Sequence, residues 1–305
     1  MFPGQSSRYP EMLTRLAGLS PANGSIVDLA SDTLGRDLRR HYRADNPDIF
    51  ATSRDVQVGV FLANHLFLES LRATGITADR SLGASLGEYN HLVEIGALGL
   101  TDALSLVDAR GTAYDAGPDG MMAAVSPIPL EDLQKVADRA GVEVANLNSP
   151  TQHVISGERA AVEAALDILE DEYYLPGVVI EERVPMHSSR FAPVADAFRP
   201  VLARTPWRRA RRPYLPNVHA RPVPDPSAED LVDALTLHVH RPVLWRASVE
   251  YLARDLPDPV FVEVGPRAVL SVLGRKWLPH RMLRTDSTGD LSAHLAAVAE
   301  ELSHV

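Results

Sequence analysis

The segment Leu82-Gly83-Ala84-Ser85-Leu86-Gly87-Glu88 constrains the fold of this chain more than any other stretch. Gly83 and Gly87 flank Ser85 with one residue between on each side, which is the spacing of a nucleophile elbow, a sharp turn between a strand and a helix. Glycine lets the backbone pass closely there, and the start of the helix offers unpaired N–H groups to an anion. The pattern predicts Ser85 as a nucleophile. Ordinary glycine-rich turns carry the same pentapeptide, so the rest of the chain must decide between the two interpretations.

The composition limits the class of protein. The 305 residues suffice for one large domain or two smaller ones, and 45% hydrophobic with 23% charged residues is ordinary for a globular chain. The sequence has no apolar run of about 18 residues and no signal-peptide pattern at its start. It contains no cysteine, which excludes disulfides and thiolate chemistry. We expect a cytoplasmic protein that binds neither a metal nor a membrane, and the net charge of −10 disfavours nucleic-acid binding.

The middle of the chain has a pattern of its own. Four strand-like runs and two helical periods follow one another there as strand, helix, strand, strand, helix, strand, which is the ferredoxin-like order. On either side, helical periods alternate with short apolar runs such as 260–264, which is typical of an α/β protein with a mostly parallel sheet. We therefore predict a large α/β domain at 1–120 and 187–305, and a small ferredoxin-like subdomain inserted at 121–186.

Several separate blocks along the chain carry a family resemblance. These are Phe2-Pro3-Gly4-Gln5, Ser85-Leu86-Gly87-Glu88-Tyr89, Arg110-Gly111, residues 120–125, residues 146–157, His187-Ser188, Pro242-Val243-Leu244-Trp245 and Glu263-Val264-Gly265-Pro266. Over its whole length the chain resembles the malonyl-CoA:acyl-carrier-protein transacylase family, which includes stand-alone acyltransferases and acyltransferase domains of polyketide synthases. The resemblance implies an α/β-hydrolase-like large domain with the small subdomain inserted, and it favours the elbow over a plain turn at Ser85.

The resemblance also implies roles for individual residues. Ser85 takes the acyl group as an ester, and His187 is its general base and then the acid that protonates the departing thiol. The backbone N–H groups of Leu86 and Gln5 form the oxyanion hole. No acidic third member is implied, because in this family a backbone carbonyl, here near His238, orients the imidazole.

Two further residues are implied on the substrate side. Arg110 matches the arginine that pairs with the free carboxylate of a malonyl-type group, a contact for which its planar fork is well suited. Asn148 is expected to line the site from the small subdomain. The resemblance implies no bound cofactor, and acyl-CoA or a phosphopantetheinyl carrier protein enters as substrate.

Three positions depart from the family pattern. Ala84 stands where the family usually has His, Met186 precedes His187 where polyketide acyltransferases have Phe or Ser, and His238 stands where Gln is common. The loss of a polar side chain at Ala84 opens space beside the acyl group, and the flexible thioether of Met186 suits an irregular acyl chain. These departures make strict malonyl specificity an open question, while Arg110 keeps a carboxylated acyl group as the expected substrate.

The sequence therefore predicts a ping-pong acyltransferase of polyketide biosynthesis that loads an acyl carrier protein. Three alternatives stay open at this point: an acyl shuttle between two carrier proteins, a thioester hydrolase that clears stalled chains, and a carrier-binding module without activity. Because carrier proteins are commonly acidic, a basic cluster is the expected docking site, and we expect the chain to act as a monomer. The cluster comprises Arg204, Arg208, Arg209, Arg211 and Arg212.

Overall fold

A computed structural model describes residues 1–304 of the chain. The helices are α1 Met12–Ala17, α2 Pro21–Leu34, α3 Leu38–His41, α4 Ser53–Arg72, α5 Gly87–Glu94, α6 Leu100–Asp115, α7 Leu130–Ala140, α8 Arg159–Tyr173, α9 Ala192–Arg204, α10 Ala228–His240, α11 Trp245–Asp255, α12 Val269–Gly274 and α13 Leu291–Leu302. The strands are β1 Met121–Val125, β2 Glu143–Leu147, β3 His153–Gly157, β4 Val178–Glu181, β5 Phe261–Glu263 and β6 Met282–Arg284. Within the described residues, no helix combines the length and the apolar character that crossing a membrane requires.

The chain divides into two compact units. Unit 1 comprises residues 1–112, 205–214 and 252–305, and unit 2 comprises residues 113–204 and 215–251. Unit 1 is built around α4, which is buried over almost its whole length and packs against α1, α2 and α5. Its buried residues include polar side chains such as Gln57 and Asn64, whose polar groups need partners inside the protein.

Short parallel strands complete unit 1. β5 and β6 pair in parallel, and Phe2 forms a parallel bridge with Gly83. The N–H of Val264 donates to the carbonyl of Met1, which joins the two pairs through the opening residues. Four extended segments therefore lie side by side, at 82–84, 1–2, 261–264 and 282–285. The opening residues and the β6 segment were not predicted as strands, since each is too short to show a period.

Unit 2 contains the predicted ferredoxin-like arrangement, and the structure confirms it. The sheet has the order β2-β3-β1-β4 with antiparallel neighbours, and Met121 of β1 faces Gly157 of β3 in the register. One face of the sheet is covered by α7 and α8. Their apolar faces form a closed core with alternate strand residues, including Leu133, Val136, Val162, Leu169, Ala123 and Ile155.

The compact unit extends beyond the predicted subdomain of residues 121–186. The N–H of Leu147 donates to the carbonyl of Val243, and the N–H of Val243 donates to the carbonyl of Ala145. Backbone pairing of this kind attaches the segment before α11 to the edge of the sheet, and α9 and α10 pack against each other in the same unit. The predicted boundaries followed changes of local pattern, which do not register pairing between distant segments.

One predicted helix is divided in the structure. Residues 26–40 show one continuous helical period in the sequence, which predicts a single helix, whereas α2 ends at Leu34 and α3 begins at Leu38. Gly35 has a φ of 61° and caps α2 with its N–H, which donates to Asp32. A left-handed glycine at this position is a common helix stop, so the apolar period continues past the point where the helix ends.

Candidate active site

Ser85 lies at the sharp turn that its flanking glycines predict. It is half-buried and has a φ of 48°, in the left-handed region that residues with a Cβ rarely adopt. The bridge at Gly83 precedes it and α5 begins two residues after it, with Leu86 as the N-cap. Backbone strain of this kind persists only where the surrounding structure enforces it, and it is frequent at catalytic positions. The turn presents the Ser85 hydroxyl at the end of an extended segment and the start of a helix, which is the geometry of a nucleophile elbow.

The two glycines of the motif are required by close backbone contacts. A Cβ on Gly83 would lie 2.0 Å from the carbonyl carbon of Gly87, and a Cβ on Gly87 would lie 2.2 Å from the carbonyl oxygen of Phe2. Backbone atoms cannot retreat as the end of a flexible side chain can. Glycine is therefore required at both positions because the backbone at Gly83 is in close contact with that at Gly87, and the backbone at Gly87 with that at Phe2.

We expect Gly83→Ala to destabilise the protein by about 3 kcal/mol or more, because the added methyl group overlaps backbone rather than side-chain atoms. Thermal and urea unfolding measure the change. Gly289→Ala is the matched control, since a Cβ there meets nothing within 4 Å, and we expect it to leave stability unchanged within about 0.5 kcal/mol. Equal stability of the two variants would contradict the packing argument.

The opening loop lies against the elbow. Gln5 begins a short 3-10 turn at Gln5–Ser7, and a Cβ on Gly4 would lie 3.1 Å from the carbonyl oxygen of Ala84. The side chain of Asn64, fully buried in α4, donates to the carbonyl of Pro3 at 3.0 Å and to Oδ1 of Asn90 in α5 at 3.0 Å. Asn64, which the sequence analysis did not identify, thus ties the Gln5 loop to the helix that follows Ser85.

Leu86 occupies the position from which a helix offers a main-chain donor. It is the N-cap of α5, where the first N–H groups of a helix have no acceptor within the helix. A negatively charged oxygen formed beside Ser85 would meet this N–H and the positive end of α5. The predicted oxyanion residues Gln5 and Leu86 therefore both belong to the segments that surround Ser85 in unit 1.

His187 lies in unit 2 on a second strained turn. Its φ is 58°, its side chain is buried, and its Nδ1 lies 2.8 Å from the carbonyl oxygen of His238. A carbonyl oxygen can only accept, so Nδ1 must carry the proton, and Nε2 of the neutral ring then holds the lone pair of a general base. The predicted orienting carbonyl near His238 is thus present. The acceptor belongs to the last turn of α10, where helix carbonyls are free to bind other donors.

The turn around His187 is fastened at both ends. The N–H of His187 donates to the carbonyl of Val239 at 3.2 Å, and the hydroxyl of Ser188 donates to the carbonyl of Pro185 at 2.7 Å. The carboxylate of Glu143 in β2 accepts from the N–H of Ser189 at 3.0 Å and also from its hydroxyl. Glu143 was missed by sequence analysis, because an acidic residue at the start of a strand has no distinguishing local signal.

Arg110 is a fully buried residue of α6 in unit 1. Its guanidinium donates to Oε1 of Gln57 at 2.6 Å and lies 5.3 Å from the ring centroid of Tyr89. Tyr89 is four residues beyond Ser85, in the helix that the elbow starts. The Gln57 oxygen and the Tyr89 ring fix the direction of this guanidinium, whose planar fork is suited to a carboxylate.

Gln57 is a further residue that sequence reasoning missed. It is fully buried in α4, and its Nε2 has no hydrogen-bond partner within residues 1–304. A buried amide N–H without an acceptor is uncommon and calls for a ligand or a water. No sequence signal distinguished Gln57, because α4 carries other polar residues such as Asn64.

The residues that depart from the family pattern have distinct environments. Ala84 is half-buried, and its N–H donates to the carbonyl of Phe2 at 2.9 Å. Met186 is buried in unit 2 beside His187, and His238 is fully buried with its ring next to that of His187. Asn148 is half-buried just after β2, where its side chain donates to Oε1 of Gln152 at 3.4 Å.

The basic cluster is partly neutralised within unit 1. Arg208 pairs with Asp102 at 3.0 Å, and Arg212 pairs with Glu94 at 3.1 Å. Arg204, Arg209 and Arg211 are exposed. The cluster therefore presents less net positive charge than five arginines in the sequence suggest, since two of its members serve to attach their segment to α5 and α6.

Glu88, beside the elbow, has a structural environment. It is fully buried and accepts a hydrogen bond from the hydroxyl of Tyr214. Burial, and then the neighbouring Glu88 carboxylate, raise the pKa of Tyr214 well above its usual range, so this hydroxyl stays protonated and keeps donating. The pair anchors the first turn of α5 to the segment that carries the basic cluster.

Comparison with known proteins identifies the family of the chain. The family profile of the acyl transferase domain matches residues 2–291. A malonyl CoA-acyl carrier protein transacylase of Bacillus subtilis is 31% identical over 299 residues, which are 95% of this chain and 92% of that protein. A polyketide biosynthesis malonyl CoA-acyl carrier protein transacylase of Bacillus velezensis is 29% identical over 281 residues, 90% of this chain and 94% of that protein.

A solved structure of a type II polyketide acyl-carrier protein in complex with its malonyl-transacylase is similar as well. Its TM-score is 0.89 at 27% identity, with 98% of each chain covered. The fold and the matched profile define the class of protein: the chain belongs to the acyl transferase domain family. Its relatives are malonyl CoA-acyl carrier protein transacylases, and the protein is an acyltransferase.

Proposed function

We propose that the protein transfers a malonyl-type acyl group from a CoA or carrier-protein thioester to the phosphopantetheine thiol of an acyl carrier protein, through an acyl-serine. The observation that carries this mechanism is the strained turn that presents Ser85 at the start of α5. The proposed base, His187, supports it because the bond to the His238 carbonyl places the ring proton on Nδ1, which gives Nε2 the lone pair of a general base.

The reaction has two half-reactions of the same form. In the first, Nε2 of His187 takes the proton of the Ser85 hydroxyl as Oγ bonds to the thioester carbon, and the oxyanion is held by the N–H groups of Leu86 and Gln5. The carbon–sulfur bond then breaks, and the imidazolium returns its proton to the thiolate. In the second half-reaction the carrier thiol gives its proton to Nε2, its sulfur bonds to the acyl carbon, and Ser85 Oγ leaves and recovers a proton from His187.

The buried guanidinium of Arg110 supports a carboxylated acyl group. A planar fork can donate two parallel hydrogen bonds to the free carboxylate of malonate, and a buried charge favours such a partner over water. The orphaned N–H of Gln57, whose Oε1 orients Arg110, offers one more donor in the same place. The two related malonyl CoA-acyl carrier protein transacylases of Bacillus subtilis and Bacillus velezensis agree with this choice of acyl group.

Polyketide biosynthesis is the pathway that we propose. One relative carries that pathway in its name, and a similar transacylase has been solved with a type II polyketide carrier protein. Ala84 opens space beside the acyl group relative to the family pattern, and Met186 supplies a flexible thioether. These two differences also suit a shuttle of longer chains between carriers or a hydrolase. One experiment distinguishes the proposed malonyl transfer from the shuttle and from the hydrolase.

The experiment follows both halves of the reaction by intact-protein mass spectrometry. The enzyme is mixed with malonyl-CoA, acetyl-CoA or an acyl carrier protein loaded with either group, and holo carrier protein is added second. A malonyl increment on the enzyme that moves to the carrier supports the proposal. An increment obtained only from loaded carriers would replace it by the shuttle, and turnover to free acid without an increment on the second carrier would replace it by the hydrolase.

We propose that the exposed arginines Arg204, Arg209 and Arg211 are the docking charges for an acidic carrier protein. Their joint replacement by Ala is expected to raise the KM for the carrier about fivefold at low salt and to flatten its salt dependence, because exposed charges act mainly on encounter. The control replaces Arg40, Arg43 and Arg254, which are also exposed, by Ala. An equal rise of KM in both triple variants would show a general charge effect and remove the docking site.

A further inference from the structure

Ser7 is a fully buried residue of the opening loop that the mechanism above does not use. Its hydroxyl donates to the carbonyl of Gly4 at 2.9 Å, and its N–H donates to the same carbonyl at 3.1 Å. The N–H bond closes the 3-10 turn at Gln5–Ser7, whereas the hydroxyl adds a donor that the turn itself does not require. Ser7 therefore binds one peptide oxygen through both of its hydrogen-bond donors.

The carbonyl that Ser7 binds belongs to the same peptide unit as the N–H of Gln5. A trans peptide is planar, and its C=O and N–H point in opposite directions, so a constraint on the direction of the oxygen also constrains the N–H. Within residues 1–304 the one cis peptide is Ser126-Pro127, so the Gly4–Gln5 unit is trans. Two donors on its oxygen also polarise the peptide, which makes its N–H a stronger donor.

The Gly4–Gln5 peptide lies beside the proposed nucleophile. A Cβ on Gly4 would lie 3.7 Å from the Cβ of Ser85 and 3.1 Å from the carbonyl oxygen of Ala84. An N–H stabilises a developing oxyanion best when it already points at the position of that oxygen, because turning it during the reaction would cost part of the gain. The direction of this one peptide unit therefore bears directly on acylation of Ser85.

The carbonyls on either side of this unit are bound by side chains as well. Asn64 donates to the carbonyl of Pro3 at 3.0 Å, and the guanidinium of Arg8 donates to the carbonyl of Gln5 at 3.1 Å. Side chains thus bind three consecutive carbonyls of the opening loop. Of the three, the one that Ser7 binds shares its peptide with the proposed oxyanion donor.

We propose that Ser7 is a positioning residue for the reaction: its hydroxyl, together with its N–H, fixes the Gly4–Gln5 peptide so that the Gln5 N–H meets the oxyanion formed on the thioester carbon. This role rests on the proposed function, in which Gln5 supplies one of the two oxyanion donors. Ser7 exchanges no proton and forms no bond to the substrate in this role. Because the oxygen becomes charged only as the reaction proceeds, the effect falls on the rate of acylation and not on substrate binding.

The test compares Ser7→Ala, which removes the hydroxyl and keeps the main-chain bond, with Ser7→Thr, which keeps both donors. Ser248→Ala is the matched control, since Ser248 is buried in α11 and its hydroxyl and N–H both donate to the carbonyl of Leu244 at 3.1 Å. Single-turnover malonylation of Ser85, followed by intact-protein mass spectrometry over a range of malonyl-CoA concentrations, gives the maximal rate constant and the half-saturating concentration. The rate constant does not depend on the fraction of folded enzyme, and thermal unfolding measures stability separately.

We expect Ser7→Ala to lower the maximal rate constant about tenfold, because complete loss of an oxyanion donor costs about 10²- to 10³-fold and here the donor stays but its peptide is held by one bond fewer. The half-saturating concentration should stay unchanged. Ser7→Thr and Ser248→Ala are expected to keep the rate constant within about threefold of the parent protein, although Ser248→Ala loses a buried hydrogen bond of the same kind.

A parent-like rate constant in Ser7→Ala would overturn the proposal. An equal loss in Ser7→Thr or in Ser248→Ala would overturn it too, and so would a rise of the half-saturating concentration that accounts for the whole effect. If Ser7→Ala does not fold, Ser7→Cys replaces it and carries the same expectation, since a thiol is only a weak donor. Absence of a Ser85 adduct in the parent protein would instead overturn the proposed function, and this role with it.

Discussion

Replacement of Ser85 by alanine is expected to abolish the acyl adduct and to lower kcat by at least ~10⁴-fold, the scale seen when an enzyme loses its serine nucleophile. The loss is chemical rather than structural. Alanine has the same Cβ as serine, so the left-handed φ of 48° costs both residues about the same, and the fold should be retained. Intact-protein mass spectrometry with malonyl-CoA and a steady-state transfer assay measure the two effects.

Ser81→Ala is the matched control for that experiment. Ser81 lies four residues before Ser85 on the same approach to the turn, is buried, and shares a hydrogen bond of 2.7 Å with Nδ1 of His91. Its loss is expected to lower stability modestly, by about 1 kcal/mol, and to leave the adduct intact. An acyl adduct that persists in Ser85→Ala, or that disappears in Ser81→Ala alone, would refute Ser85 as the acyl carrier.

The second large effect is expected at Arg110. Arg110→Ala should reduce kcat/KM for malonyl-CoA by about 10²- to 10³-fold, because the carboxylate of the substrate would be buried without a charged partner. For acetyl-CoA, which has no free carboxylate, the loss should be small. The measured quantity is the ratio of kcat/KM for the two donors, which is independent of the fraction of folded enzyme.

Two further variants separate charge from geometry at this site. Arg110→Lys keeps the charge but loses the planar fork, and we expect an intermediate malonyl preference. Gln57→Leu removes the side chain that accepts from Arg110 at 2.6 Å, and it should weaken the malonyl preference in the same direction. Equal losses for malonyl-CoA and acetyl-CoA in Arg110→Ala would assign Arg110 a packing role and withdraw the carboxylate contact.

The elbow could be proposed from the sequence because its glycine spacing is local, and the family resemblance favoured it over a plain turn. Gly83, Ser85 and Gly87 lie within five consecutive residues, and the turn they form needs small residues at that spacing. The ferredoxin-like unit was predictable for a similar reason: each strand and helix of the unit has its own hydrophobic period, and hairpin and crossover connections allow few arrangements. The order of strands and helices in the structure is the one that these periods predict.

Other features depend on contacts that no local pattern records. Asn64 joins the opening loop to α5, Gln57 orients Arg110 from a position 53 residues away, and Glu143 fastens the turn beside His187. None of these residues belongs to a distinctive motif. Their importance comes from the burial of a polar group next to one particular partner, and burial is a property of the folded chain.

The sequence by itself determined the ferredoxin-like order of the second unit and the glycine spacing of the serine turn. Both follow from residue type and short spacing, which act before distant segments meet, whereas the charged side chain proposed to meet the substrate was implied by the family resemblance. The tertiary structure alone decided how far the second unit extends, that Arg208 and Arg212 of the basic cluster pair with Asp102 and Glu94, and that Asn64 joins the opening loop to α5. These features join positions separated by tens to hundreds of residues, so they exist only once packing has brought the segments together.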